Sequence, residues 1–147
     1  MVDIRIRKAL RTDANGIKRL IDLVGINPTS LDWMRFLVAV TEDERLVGCG
    51  QVKPHGEDIL ELASIAVSPE FRGQGIGRRV VERLLIENPR PLYLICMSHN
   101  GPFYEKFGFQ ILSSRQMPRY YQRIYGLFKT ADIFLKSGEQ LLVMMLE

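Results

Sequence analysis

Apolar and charged residues alternate from Val2 to Arg7, the two-residue period of a half-buried strand. The period then changes. Ile17, Leu20, Ile21 and Val24 fall at helical spacing, with Thr12 or Asp13 as a cap, Gly25 as a stop and Pro28 soon after. Residues 29–35, which include Trp33, read as a short helical turn or loop. Phe36–Val40 and Leu46–Val52 are apolar runs joined by the charged turn Glu42-Asp43-Glu44-Arg45, a hairpin signal. Pro54, Gly56 and Asp58 mark a further turn. Ile59–Val67 is then a third hydrophobic strand, running straight into Ser68-Pro69 and a glycine-rich turn.

The clearest helix is Gly75–Glu87. Ile76, Val80 and Leu84 recur every four residues, Val81 and Leu85 widen the stripe, and Arg78, Arg79, Glu82 and Arg83 take the other side. Pro89 ends it. Leu92–Met97 is apolar throughout, as a central strand buried on both faces would be. A short helix around Pro102–Phe107, closed by Gly108, precedes a strand over Phe109–Leu112. Pro118–Phe128 is helix-like, and Gln140–Leu146 is a last strand. With no repeat, linker or low-complexity segment, this order predicts one mixed α/β domain over residues 1–147.

That length suits one domain with one core, and 46% hydrophobic with 25% charged residues is an ordinary soluble composition. No apolar run approaches the roughly 18 residues of a membrane span, and Met1-Val2-Asp3-Ile4-Arg5 lacks an apolar leader. The expectation is a cytoplasmic protein with no membrane partner. A net charge of +3, scattered along the chain, argues against nucleic acid and suits a few arginines for a small anion. Cys49 and Cys96 lie in apolar stretches and read as buried free thiols. Together with His55 and His99 they show no metal-ligand spacing, and the histidines read as loop residues without a part in nucleophilic catalysis.

The chemistry gathers at Arg72-Gly73-Gln74-Gly75-Ile76-Gly77, where a strand gives way to a helix. The first N–H groups of a helix lack intrahelical partners and its dipole favours negative charge there. Glycines at 73, 75 and 77 keep side chains out of the way of a phosphate, and Arg72, Arg78 and Arg79 can add charge-assisted bonds. Spacing narrows the ligand. The dinucleotide pattern GxGxxG would need glycine where Arg78 stands, and GxxxxGK followed by Ser or Thr is absent.

Ile65-Ala66-Val67-Ser68-Pro69-Glu70-Phe71-Arg72-Gly73-Gln74-Gly75-Ile76-Gly77 resembles the central signature of the GNAT superfamily of N-acetyltransferases, Gln/Arg-x-x-Gly-x-Gly/Ala. Asn100-Gly101-Pro102-Phe103-Tyr104-Glu105-Lys106-Phe107-Gly108-Phe109 is similar to that family's aromatic-Tyr-Glu-Lys-x-Gly-Phe segment. The resemblance covers nearly the whole chain. It implies a mixed, mostly antiparallel central sheet with a splayed strand pair, flanked by helices, and acetyl-CoA as co-substrate without a metal. The backbone of Ile65, Ala66 and Val67 would pair with the pantetheine arm, and residues 73 to 78 (Gly73, Gln74, Gly75, Ile76, Gly77 and Arg78) would cradle the pyrophosphate with Arg72 at the head. Tyr104 would protonate the leaving sulfur, with Phe103 beside it among the cofactor-contacting residues. Glu61, on the strand leading to the turn, would take the amine proton directly or through water; Glu57 and Asp58 are weaker alternatives.

The sequence departs from the commoner family pattern at one point. An asparagine seven residues before the tyrosine is replaced by Met97, while Asn100 lies only four before Tyr104. Asn100 therefore either contacts the cofactor or caps the short helix. By the same resemblance the acceptor enters past residues 25–35 and 113–138. Trp33 would line that pocket or plug the core, and Arg115, Arg119 and Arg123 would share one helical face, solvated or turned to an acidic acceptor. Tyr121, Tyr125 and Phe128 form a packing stripe, and the long segment 113–138 is a candidate lid or oligomer contact. The reading is direct acetyl transfer to a primary amine (a small amine, a polyamine or a peptide or protein amine) by a monomer or homodimer. The alternative is a non-catalytic acyl-CoA-binding module of the same fold.

Overall fold

The computed structural model describes residues 3–130 and 138–147. Strand β1 (Ile4–Lys8) pairs antiparallel with β2 (Phe36–Thr41), a strand buried at every position. Between them the chain makes a 3-10 turn at Arg11–Asp13 and helix α1 (Ala14–Val24). Asp13 does not cap α1 with its side chain. Its carboxylate instead accepts the Leu10 amide and the Arg7 guanidinium, both at 2.7 Å, and so ties strand to helix. Gly25, left-handed at φ 81°, ends α1 as its sequence position predicts.

Strands β3 (Leu46–His55) and β4 (Ile59–Val67) complete an antiparallel run in the order β1-β2-β3-β4, and helix α2 (Ile76–Glu87) follows. β3 runs past the expected end at Val52, through Pro54 to His55. One sheet face is filled from α1: Ile17, Leu20 and Ile21 pack with Phe36, Val38, Val40, Cys49 and Ala66. Trp33 packs against this cluster, which decides for a core role. The other face is filled from α2 by Ile76, Val80, Val81 and Leu84. Contact there is close. A Cβ on Gly50 would lie 2.5 Å from Ile65 and 2.8 Å from Val80, and one on Gly48 would lie 2.9 Å from Ile76.

Simple alternation along β4 puts Glu61, Ala63, Ile65 and Val67 on one face. The register corrects this. Gln51 faces Ala63 while Cys49 faces Ala66, so two residues of β4, Ser64 and Ile65, stand against Gly50 alone. This is a β-bulge, with Ser64 in the left-handed region at φ 60°. Glu61 and Ala63 therefore share the α1 face with Ala66, and Ile65 and Val67 point to α2.

The chain clusters into two compact units, Met1–Pro89 and Arg90–Glu147. In the second, β7 (Leu141–Leu146) pairs antiparallel with both β5 (Leu92–Met97) and the short β6 (Gln110–Ile111). Helix α3 (Gly101–Glu105) follows β5, and α4 (Arg119–Thr130) precedes β7. Tyr121 of α4 is fully buried, its ring 5.5 Å from that of Tyr93 in β5, so it packs as expected. The three-arginine face is corrected: Arg115 lies in a turn before α4, leaving Arg119 and Arg123 on the helix, both exposed. Val2, the side chain of Phe128 and residues 131–137 of the candidate lid lie outside the described residues. Among the described residues no helix is long and apolar enough to cross a membrane.

Candidate active site

The chain leaves β4 through a 3-10 turn, Pro69–Phe71, held from two sides. The Ser68 amide donates to the Val47 carbonyl at 2.8 Å. Arg45 lies over the Phe71 ring, 5.4 Å from its centroid, and reaches Glu70 at 3.1 Å. Beyond this anchor Gly73 and Gly75 have φ of 81° and 77°, where any side chain is strained, and a Cβ on either would meet nothing within 4 Å. Both positions are glycine for conformation, and the space beside them is open.

Gly75 precedes α2 with no side-chain cap, and the first turn of α2 carries no acidic residue. The opening N–H groups are thus left for an anion. The three arginines divide. Arg72 is exposed and has no ion pair among the described residues. Arg78 pairs with Glu82 at 2.7 Å on the open surface, a contact that exchanges easily. Arg79 is committed elsewhere, donating to the Ile4 carbonyl at 2.9 Å and so fastening α2 to β1. That bond uses one guanidinium nitrogen of a residue otherwise exposed.

The bulge sets the chemistry of β4. Glu61 is only 6% exposed and lies opposite Lys53, itself 7% exposed. One carboxylate oxygen is 3.8 Å from Lys53 Nζ, and the other is 3.5 Å from His55 Nε2. Gln51, two residues before Lys53 on β3, is fully buried, and its amide nitrogen donates to Ser64 Oγ at 2.9 Å and to the Ser30 carbonyl at 3.1 Å. That nitrogen bridges the strained bulge and the early loop. Its amide oxygen has no partner among the described residues. The sequence points to Glu61, with Glu57 and Asp58 as weaker alternatives, and not to Gln51, Lys53 or His55. The available signal is their two-residue spacing, which alternation places on one face of β3.

In the second unit Tyr104 sits on α3, its ring edge-on to Phe103 with centroids 4.9 Å apart, and to Phe109 at 6.2 Å. Burial, then the nearby Cys96, pushes the phenol well above its usual range, so it keeps its proton at neutral pH. That is the state a proton donor needs. Asn100 occupies the N-cap position of α3, yet its side chain makes no capping bond, and it is exposed. His99 is half of a polar clasp: Glu139 accepts from the His99 amide at 3.1 Å, lies 2.8 Å from His99 Nδ1 and accepts the Ser98 hydroxyl. The thiols are raised by burial, Cys49 to about 12 and Cys96, only half-buried, to about 11.

Comparison with known proteins bears on the family and the fold. The family model of the acetyltransferase (GNAT) domain matches residues 32–111. An amino-acid acetyltransferase of Mycobacterium tuberculosis is 32% identical over 117 residues, covering 71% of this chain and 67% of that protein. The fold is similar to N-acetylglutamate synthase from Neisseria gonorrhoeae, solved with coenzyme A and N-acetyl-glutamate: TM-score 0.73, 20% identity, 99% of this chain and 35% of that one. It is also similar to a Mycobacterium tuberculosis protein solved in complex with CoA, with TM-score 0.70 and 24% identity over 97% of this chain and 99% of that one. The chain thus spans about a third of the synthase, and these structural likenesses speak to the fold.

Proposed function

The chain belongs to the GNAT acetyltransferase family, and from that premise we propose that it transfers an acetyl group from acetyl-CoA to a primary amine, the α-amino group of a free amino acid. The observation that carries the reading is the glycine turn, left-handed at Gly73 and Gly75 and open where side chains would stand, at the uncapped start of α2. A diphosphate supplies what those N–H groups lack. The amino-acid acceptor is supported by the Mycobacterium tuberculosis relative, named an amino-acid acetyltransferase.

In this mechanism Arg72 and the backbone of residues 73–78 bind the pyrophosphate, and the backbone of Ile65, Ala66 and Val67 aligns the pantetheine arm. The amine arrives mostly protonated at neutral pH, so Glu61 takes that proton and frees the attacking lone pair. Tyr104, still protonated, supplies the sulfur as the thiolate leaves. Residues 1–147 work as one acetyltransferase domain, in the cytoplasm, as a monomer or homodimer. Calorimetry with acetyl-CoA, followed by coenzyme A release over a panel of amino acids and simple amines, tests the reading. Binding with turnover on amino acids supports it. Binding without turnover on any amine indicates the non-catalytic module, and absence of binding removes the reading altogether.

A further inference from the structure

Glu61 and Lys53, both buried, and the half-buried His55 form a cluster of titratable side chains on one hairpin, β3–β4. Burying an ion pair adds little to stability, because desolvation offsets the attraction. The placement has a chemical use. Each carboxylate oxygen of Glu61 has its own cationic or protonatable neighbour, Lys53 on one and His55 on the other. Lys53 Nζ stands 3.8 Å from one oxygen. At 6% exposure the carboxylate has little contact with water, so a proton it receives needs another route out. His55, next to the exposed turn Gly56-Glu57-Asp58, has its side chain 18% exposed.

We propose that His55 is a relay residue acting through Glu61: it accepts at Nε2 the proton that Glu61 takes from the acceptor and passes it to water at the β3–β4 turn. The inference rests on the acetyl-transfer reading and on Glu61 as base. The balance is simple. Acceptor ammonium and thioester become amide, thiol and one proton; the C–S bond breaks, a C–N bond forms, and the second nitrogen proton is matched by the one the sulfur gains. The net proton leaves by Glu61 Oε1 and His55 Nε2; the imidazolium releases a proton to water from Nδ1, and because Nε2 is buried a ring flip, which turns the unprotonated nitrogen to Glu61, resets the relay. Glu61 on β4 lies 3.5 Å from His55; Lys53 is two residues before it on the same strand, and Glu57 and Asp58 follow it in the turn.

The test is kcat against pH for wild type, His55→Ala and His55→Gln, with and without added imidazole. Loss of a proton-transfer group lowers kcat by about 10²-fold, with KM for both substrates held. Imidazole restores His55→Ala in proportion to its unprotonated concentration. Gln can still donate a hydrogen bond to Glu61 but cannot carry a proton, so His55→Gln is as slow as His55→Ala. Wild-type turnover in His55→Gln, or a slow His55→Ala that imidazole does not rescue, reduces His55 to a structural partner and overturns the relay. A readout independent of turnover separates this from failure of the enzymatic reading: the His55 ring resonances, followed by NMR across pH, shift differently in wild type and Glu61→Gln. Superimposable titrations overturn the pairing even where no acceptor has been found, whereas separate titrations with no turnover on any amine fault the enzymatic reading alone.

Discussion

At the scale of single residues, the glycines of the turn and the tyrosine of α3 make opposite kinds of demand. Gly73 and Gly75 are needed for a backbone conformation that costs other residues about 1–2 kcal/mol, with open space beside them. Gly75→Val therefore weakens acetyl-CoA binding by tenfold or more in calorimetry, as strain and an intruding side chain add. Tyr104→Phe keeps the ring contacts and loses only the proton; kcat falls by about 10²-fold with the KM for acetyl-CoA unchanged, as steady-state kinetics would show. Asp13 makes a pH-dependent contribution. Burial pushes its carboxyl up, but bonds from Arg7 and the Leu10 amide and the Arg7 charge outweigh this and hold it below its usual value. Its stabilisation is present above the unfolded pKa and is lost as pH falls through the lowered folded one. Asp13→Asn should cost about 1 kcal/mol at neutral pH for this half-buried pair, and the gap should close below about pH 4 in urea melts. The glycines and Tyr104 are legible in the sequence because their identity is itself the signal. Lys53 and His55 are not, since a lysine and a histidine look like surface until the β3–β4 register buries them.

At the scale of elements, the sequence resolves each strand and helix to within a few residues, because apolar period and Gly/Pro punctuation act locally. The failures are those of a rule applied past its reach. Alternation assigns faces along β4 only if no residue is inserted, and the Ser64–Ile65 bulge moves Glu61 to the α1 side. Nothing in Ala63-Ser64-Ile65 announces this; the bulge is held from elsewhere, by Gln51 bonding Ser64 Oγ. Helical spacing likewise places Arg115 on a helix that begins only at Arg119. The seating of α2 is also decided across elements. With 2.5–3.1 Å between a Cβ at Gly50 and Ile65, Val80 and Leu84, Gly50→Ala overpacks the α2–β3 contact. It should cost about 1–3 kcal/mol, read as a lower urea midpoint, with weaker acetyl-CoA binding because the turn rides on α2.

For the molecule as a whole, family and fold are legible from two motifs in order and from the sequence of elements, and the match over residues 32–111 supports them. The acceptor is less so, since the loops that choose it carry no repeated pattern and pack by shape. Trp33 shows the ambiguity: a lone tryptophan in a loop suits a pocket or a core, and only packing against the α1 cluster decides. Binding to the native state alone gives a global prediction. Acetyl-CoA at a hundred times its Kd should add about 2.7 kcal/mol, or roughly 5–11 °C in Tm, and Gly75→Val, binding tenfold or more weaker, should show about half that shift or less at the same concentration. A wild-type melting curve indifferent to acetyl-CoA would count against the pyrophosphate site.

The sulfur chemistry of the two units follows from their burial. A reaction whose donor is a thioester and whose product is a free thiol exposes any reactive cysteine to self-acylation and to mixed disulfides. With thiols near 12 and 11, the nucleophilic anion at neutral pH is on the order of 10⁻⁴ of each side chain or less, against a few per cent for an ordinary cysteine. Both cysteines are therefore poor competitors with the amine for the acetyl group of the bound thioester.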